Sequence, residues 1–252
     1  MSKYSALITG ATSGIGEATA RLLAPHCQLL ILNGRREERL RSLKEELSSV
    51  CEVLLAPFDL RDRESLMSWC NQEQKSLQNI DVLINNAGLA RGTEPLHKGN
   101  WEDWDEMIDT NVRGLLAMTR QIVPLMVNNK RGHVVNLGSV AGRWTYPGGG
   151  VYCATKYSVR ALTEALRMDL IGTGIRVTNI EPGMVETEFS QVRFRDEDKA
   201  KQVYKNMRPL SAQDIAETIL WSLQRPRHVN IQEIVIFPTD QAAIRDVHRG
   251  TT

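Results

Sequence analysis

The stretch Ala6-Leu7-Ile8-Thr9-Gly10-Ala11-Thr12-Ser13-Gly14-Ile15-Gly16-Glu17-Ala18-Thr19-Ala20-Arg21-Leu22-Leu23 decides the fold. Its first three residues read as a buried strand, its last seven as a helix, and a glycine-rich turn joins them. Strand, glycine-rich turn and helix in that order set a pyrophosphate at a helix N-terminus, where unpaired backbone N–H groups and the helix dipole meet the anion. Gly10 permits the tight turn, Gly14 lets backbone approach phosphate, and Gly16 lets the helix pack on the strand. Ala11, Thr12, Ser13 and Ile15 complete the phosphate-facing loop. The spacing is Gly-x-x-x-Gly-x-Gly, not the commoner Gly-x-Gly-x-x-Gly. Three glycines alone would suit any tight turn; their place directly after the first strand favours a nucleotide.

Outward from this turn, strands and helices alternate with short connections. A second strand, Gln28-Leu29-Leu30-Ile31-Leu32-Asn33, leads to Gly34-Arg35-Arg36 and a charged helix from Glu37. A third, Glu52-Val53-Leu54-Leu55-Ala56-Pro57-Phe58, ends at Asp59-Leu60. A helix over residues 64–77 precedes the strand Asp81-Val82-Leu83-Ile84 and the turn Asn85-Asn86-Ala87-Gly88. Later come a helix over residues 101–120, a strand His133-Val134-Val135-Asn136-Leu137-Gly138, a helix over 152–171, and strands at 175–180 and 233–237. This alternation predicts an α/β fold, one Rossmann domain with a doubly wound parallel sheet and helices on both faces, its ligand at the carboxyl ends of the strands. Asp59 with Leu60 can meet an adenine ring, or Asp59 can cap the following helix. Asn86, Ala87 and Gly88 line the floor of the same cleft. Where an acid usually receives the adenosine ribose hydroxyls, the chain has Arg35 and Arg36. Paired guanidinium groups suit a phosphate dianion, which predicts NADP(H) rather than NAD(H).

Composition narrows the function classes. The chain has 252 residues, 42% hydrophobic and 24% charged, which suits one domain with a large core. A net charge of +1 gives no electrostatic case for nucleic acid or a membrane surface. No run approaches a membrane span, and the N-terminus leads into an apolar strand without a signal-peptide pattern, so a cytoplasmic protein is expected. Cys27, Cys51, Cys70 and Cys153 are scattered, without metal-ligand spacing, and read as reduced thiols; no metal site is expected.

The chemistry is read from Val151-Tyr152-Cys153-Ala154-Thr155-Lys156. Four residues apart on a helix, Tyr152 and Lys156 share one face. An ammonium beside a phenol favours the phenolate, making the tyrosine a proton donor and acceptor nearer neutral pH. Ser139, at the end of the preceding strand, can offer a hydroxyl to a carbonyl oxygen. Taken alone, the Tyr–Lys pair would equally suit an ordinary surface helix.

Thr-Gly-x-x-x-Gly-x-Gly at 9–16, Asn-Asn-Ala-Gly at 85–88, Ser139, and Tyr-x-x-x-Lys at 152–156 together resemble the short-chain dehydrogenase/reductase family, over essentially the whole chain. The resemblance implies that Asn111 completes a catalytic set with Ser139, Tyr152 and Lys156, holding a water that links Lys156 to solvent. It implies that Lys156 contacts the nicotinamide ribose. Glu181-Pro182-Gly183-Met184-Val185-Glu186-Thr187 matches a family loop whose backbone and threonine hold the nicotinamide carboxamide, which assigns Pro182, Gly183, Met184, Val185 and Thr187 to the cofactor. It further implies a substrate lid at about 188–206 and a homotetramer built on the two long helices. The tail at about 238–252 is left open between disorder and a crossing to another subunit.

Several stretches, among them Tyr146-Pro147-Gly148-Gly149 and residues 185–194, are similar to the branch of NADP-dependent 3-hydroxy acid dehydrogenases acting on serine and L-allo-threonine. Such substrates pair a carbonyl or hydroxyl with an anion, and Arg143 and Arg193 are the candidate clamps. Each also reads as a solvated surface arginine. Trp144 and Tyr146 are expected to wall the pocket. Two alternatives stay beside this reading: a broader carbonyl or 3-oxoacyl-thioester reductase, and a non-catalytic NADP(H) sensor, which would usually have lost part of the catalytic set.

Overall fold

The computed structural model describes residues 3–250; Met1, Ser2, Thr251 and Thr252 lie outside the described residues, including the last two of the predicted tail. Seven strands form one parallel sheet: β1 (Tyr4–Ile8), β2 (Cys27–Asn33), β3 (Glu52–Ala56), β4 (Val82–Asn85), β5 (Gly132–Leu137), β6 (Ile175–Pro182) and β9 (Glu233–Ile236). Their order is β3-β2-β1-β4-β5-β6-β9. The order reverses between β1 and β4, and there a cleft opens at the carboxyl ends of the strands.

The strands read as nearly continuous apolar runs because both faces are covered. Ile8, Leu30, Leu32 and Ile84 point to one face, under α1 (Gly14–Leu23), α2 (Glu37–Leu47) and α10 (Ala212–Leu223). Leu7, Ile31, Leu83 and Val134 point to the other, under α3 (Arg63–Gln72) and α6 (Leu115–Asn128). The period-2 alternation of a strand divides them.

The predicted fold holds, with local differences. The expected helix at 64–77 is two, α3 and the single turn α4 (Gln74–Leu77), because Glu73 leaves helical geometry at ψ 20°. The expected helix at 101–120 is α5 (Trp101–Ile108), a π-helical segment Asp109–Gly114, and α6. The third strand stops at Ala56, since Pro57 has no N–H for the ladder and the Phe58 N–H turns back to the Ala56 carbonyl at 3.0 Å. The helix carrying Tyr152, α7, starts earlier than expected and runs Gly150–Asp169.

The region read as a lid forms α8 (Phe189–Phe194) and α9 (Glu197–Val203). A parallel pair, β7 (Val185–Glu186) with β8 (Leu210–Ser211), closes its base. The tail is ordered through residue 250. It folds back as a tight hairpin in which Gln241 bridges Val247 antiparallel, and the Ala242 and His248 N–H groups donate to Asp246 and Asp240 at 2.9 and 2.7 Å.

Candidate active site

The glycine-rich turn takes a shape only glycine adopts freely. Gly10 and Gly14 have φ of +66° and +54°. The turn is stitched to the loop after β4, about 77 residues away in sequence. Thr9 Oγ1 accepts from the N–H groups of Asn86 and Ala87, both at 3.0 Å, and Asn86 Nδ2 donates to the carbonyls of Thr9 and Gly10 at 2.9 and 3.2 Å. A Cβ on Gly16 would strike the Gly10 carbonyl and Asn86 Nδ2. Gly16 therefore serves the turn itself and does not face the cleft. Ala11 is also turned away: it is fully buried and its N–H donates to the Asn33 carbonyl at 2.9 Å. Every other predicted cofactor residue lines one cavity of about 650 Å³. At the start of α1, Ser13 makes no side-chain cap, so the first-turn N–H groups of the helix are left for a ligand.

At the adenosine end the charges are paired. The Arg36 guanidinium donates to the Thr12 hydroxyl at 3.0 and 3.1 Å and to Glu188 at 2.7 Å; Arg39 donates to the same carboxylate at 2.6 Å. Arg35 lies 3.6 Å from Asp59 and 3.7 Å from Glu106. Glu106 in turn receives Arg91 at 2.6 Å. Burial acts to raise the Asp59 carboxyl, but hydrogen bonds and charge from Arg61 carry it below the usual carboxylate range. The capping alternative for Asp59 falls to Asp62, which accepts from the Ser65 N–H at 3.0 Å.

At the other end lies the candidate chemistry. Ser139 follows β5 in extended backbone, its Oγ accepting from the Ala141 N–H at 3.1 Å. Tyr152 lies on the inward face of α7, 9% exposed. Burial drives its phenol pKa up, the neighbouring Tyr146 adds to this, and a hydrogen bond from Ser139 pulls it down. The sequence reading expected Lys156 to depress that pKa. In the structure Lys156 donates to the Leu137 carbonyl at 2.7 Å with Nζ 6.0 Å from the Tyr152 ring centroid, and desolvation outweighs it. Burial also draws the Lys156 pKa down to about 8.

Asn111 stands behind the cavity wall, buried in the π-helical segment. Its side chain exchanges hydrogen bonds with both backbone groups of Leu89 at 2.8 Å, and donates to Thr155 Oγ1 at 3.0 Å. It does not touch Lys156. Between them lies Gly88, where a Cβ would come 3.3 Å from Asn111 Oδ1 and 3.4 Å from Lys156 Nζ.

The two candidate clamps part company. Arg143 does not reach the cavity: it bonds Glu181, which is fully buried, and Glu233 on β9. An uncompensated carboxylate at Glu181 would be costly, so Arg143 is claimed by the sheet edge. Trp144 likewise points outward, 46% exposed and packed on Phe237 with centroids 6.2 Å apart. Arg193 and Tyr146 do line the cavity. Arg193 donates to the Tyr146 hydroxyl at 2.7 Å and to the carbonyls of Gly92 and Gly148 at 3.2 Å, and meets no carboxylate among the described residues.

Residues 4–198 match the family model for short chain dehydrogenase. This chain belongs to the short-chain dehydrogenase/reductase family. It is 48% identical over 247 residues to the NADP-dependent 3-hydroxy acid dehydrogenase YdfG of Salmonella typhi, covering 97% of this chain and 99% of that one. It is 45% identical over 238 residues to sulfoacetaldehyde reductase 2 of Chromohalobacter salexigens, covering 94% of each. Among solved structures, the closed form of serine dehydrogenase complexed with NADP+ superposes with a TM-score of 0.90 at 45% identity, over 97% of this chain and 99% of that one.

Within this short-chain dehydrogenase, several cleft residues escaped the sequence reading. Arg39 had a signal: it lies three residues after Arg36, hence on the same helical face. Glu188 and Glu106 had none, because they meet Arg36 and Arg35 from 152 and 71 residues away in sequence. The tail residues Gln241, Ile244 and Arg245 also line the cavity. Gln241 is buried and its Oε1 accepts from the Met184 N–H at 2.8 Å.

Proposed function

We propose that this chain is an NADP(H)-dependent oxidoreductase that interconverts a small 3-hydroxy acid and its 3-oxo acid or semialdehyde. One observation carries the reading: Tyr152, Ser139 and Lys156 border the same cavity as Arg193, which forms no ion pair among the described residues. Two relatives with high identity are named for NADP or solved with NADP+, which supports the cofactor. The residues fit such a group. The positive-φ glycines and the uncapped start of α1 suit a pyrophosphate, and Arg35, Arg36 and Arg39 suit a ribose phosphate.

When bound, NADP(H) supplies or accepts the hydride. Tyr152 gives its phenolic proton to the carbonyl oxygen in reduction and takes it back from the alcohol in oxidation. A high phenol pKa keeps Tyr152 protonated for the reductive direction. Ser139 donates to the same oxygen, where the bond is worth most as charge develops. Lys156, held by the Leu137 carbonyl, would donate to the ribose hydroxyls of the bound cofactor. Asn111 braces the loop at Leu89 and Thr155, close to Lys156 across Gly88, and the family resemblance assigns it the anchoring of a relay water. Residues 188–206 act as the lid, and Arg193 receives the substrate anion on its inner face.

The carboxylates that line the cavity among the described residues are Asp59 and Glu188, both at the adenosine end and both paired with arginine. The ammonium of serine therefore finds no carboxylate beside Tyr152 and would rest on neutral acceptors, so substrates without an ammonium are favoured. The protein is further read as a cytoplasmic homotetramer. Exposed apolar side chains on the long helices, Leu116, Tyr157 and Met168, support such an assembly, and sedimentation velocity checks it.

The deciding assay is NADP+ reduction at alkaline pH with 3-hydroxypropionate, 3-hydroxyisobutyrate, isethionate, L-serine, L-allo-threonine and a neutral secondary alcohol, each repeated with NAD+. Turnover of anionic hydroxy compounds with NADP+, serine trailing 3-hydroxypropionate, is expected. Activity confined to the neutral alcohol would replace the reading with that of a general carbonyl reductase.

A further inference from the structure

The C-terminal hairpin reaches the cavity with a charged residue that the sequence reading did not single out. Ile244 and Arg245 occupy its tip, and both line the cavity. Arg245 donates to the Pro147 carbonyl at 2.8 Å, and its guanidinium carbon lies 5.6 Å from the centroid of the Tyr146 ring. Arg193, from the lid, lies 5.4 Å from that same centroid. Neither arginine forms an ion pair with a carboxylate among the described residues, although the charge of Arg193 reaches Glu94, whereas Arg35, Arg36, Arg39, Arg61 and Arg91 in and around the cleft all form one. Guanidinium groups near one tyrosine repel each other unless a ligand anion lies between or beside them.

We propose that Arg245 is a second anion-binding residue of the substrate site, so that the C-terminal hairpin, with the lid, recognises the acid group. The ligand class is the carboxylate or sulfonate of a short hydroxy or oxo acid. Tyr146 joins the pair: its hydroxyl oxygen accepts from Arg193, which leaves the phenolic proton free to donate. Arg193, Arg245 and the Tyr146 hydroxyl thus supply donors from three separate segments. Tyr146 is fixed in turn by Gly149, where a Cβ would collide with its ring.

The hairpin is built to hold this position. Gln241 ties its base to the loop at Met184, and the Asp240 carboxylate accepts from the Arg208 N–H at 2.7 Å. Arg249 donates to the Val203 carbonyl at 3.0 Å, which staples the hairpin to the end of α9. Lid and tail are joined by these contacts, and their arginines converge.

The inference rests on the proposed 3-hydroxy acid activity, and its test separates the two. Wild type, Arg245→Ala and Arg245→Gln are assayed with NADP+ against 3-hydroxypropionate, isethionate and 1,3-propanediol, the last an uncharged counterpart of the first. Thermal melting confirms that each variant is folded. The expected result is a KM for the anions raised about 10- to 100-fold, with kcat nearly kept and 1,3-propanediol and NADP+ unaffected. The ratio between 3-hydroxypropionate and isethionate tells carboxylate from sulfonate. Unchanged KM for both anions in wild-type-like enzyme overturns the role of Arg245 while leaving the activity intact. An equal loss on the diol also overturns it, assigning the hairpin a purely structural part. Should wild type turn over only the diol, the activity reading fails, and propionate is then tried as a competitive inhibitor. Inhibition weakened by Arg245→Ala upholds the anion site; no inhibition removes it.

Discussion

The two ends of the cleft handle positive charge in opposite ways. At the adenosine end Arg35, Arg36 and Arg39 meet Asp59, Glu106 and Glu188, so the guanidinium groups are held in place by internal carboxylates. At the end that carries Tyr152, Arg193 and Arg245 rest on carbonyls and on the ring of Tyr146, with no ion pair among the described residues. The first arrangement pre-positions donors for an anion that must displace or share a partner. The second leaves guanidinium groups bonded to neutral acceptors, free to pair with an anion under the proposed reading. Arg143 shows why position in sequence is a poor guide here: four residues from Ser139, it is consumed by buried Glu181. Arg143 differs from Arg193 in being held by a buried carboxylate, and it does not line the cavity.

The comparison can be strained at five points. Tyr152→Phe removes the proton donor and is expected to lower kcat by about 10³-fold with NADP+ affinity kept, as general acid catalysis is worth roughly 10²–10⁴-fold; isothermal calorimetry beside steady-state kinetics checks this. Arg143→Met strands the buried Glu181 and is expected to cost about 3–5 kcal/mol by denaturant titration, with the anion KM of surviving enzyme unchanged. A raised anion KM there would return Arg143 to the substrate site.

Lys156→Met probes the catalytic end through pH. The Lys156 pKa falls from 10.5 to about 8 on folding, so between those values the unfolded chain binds more protons and stability rises with pH. Below pH 8 the buried ammonium carries its full penalty, up to about 3 kcal/mol. The variant should melt above wild type at pH 7, and the gap should narrow from pH 8 to 10. Above pH 10 the buried phenol of Tyr152 acts in the opposite sense, its raised pKa eroding stability. Melting curves of both proteins across that range decide it. Arg36→Ala is expected to raise the KM for NADP+ about tenfold or more while leaving NAD+ unchanged, since a charged hydrogen bond contributes roughly 1.5–3 kcal/mol. Smallest is Glu188→Gln: release of two half-exposed ion pairs should lower the KM for NADP+ about two- to fivefold, with NAD+ untouched. A rise for both cofactors would instead make Glu188 part of a closure over the dinucleotide.

Much of this was legible in the sequence. The glycine turn, the Asn-Asn-Ala-Gly loop and Tyr152 with Lys156 are local patterns, each set by backbone geometry or helical spacing, and the alternation of strands and helices fixed the sheet. The unread part is long-range. Nothing near Arg143 in sequence announces Glu181 or Glu233, 38 and 90 residues on. The π-helical turn around Asn111 is accompanied by long-range bonds from its side chain to Leu89 and Thr155, which spacing does not announce. The hairpin at Arg245 is held by Gln241, whose side-chain oxygen accepts from the Met184 backbone N–H, a contact with no periodic signature. The direction of the Tyr152 pKa was misjudged because spacing reveals a neighbour but not how thoroughly water is excluded.

The stitch between Thr9, Gly10 and Asn86 has a consequence for the lifetime of the protein. It joins segments some 77 residues apart, so the proposed phosphate cradle exists only when β1 and β4 are already side by side. An unfolded chain has no such cradle, and a ligand held there binds the native form alone. At a hundredfold excess over its Kd, such a ligand adds about 2.7 kcal/mol to the folding equilibrium. Nucleotide supply would then govern how often the chain opens to proteases, and starvation for it would thin the population of the enzyme before any regulator acted.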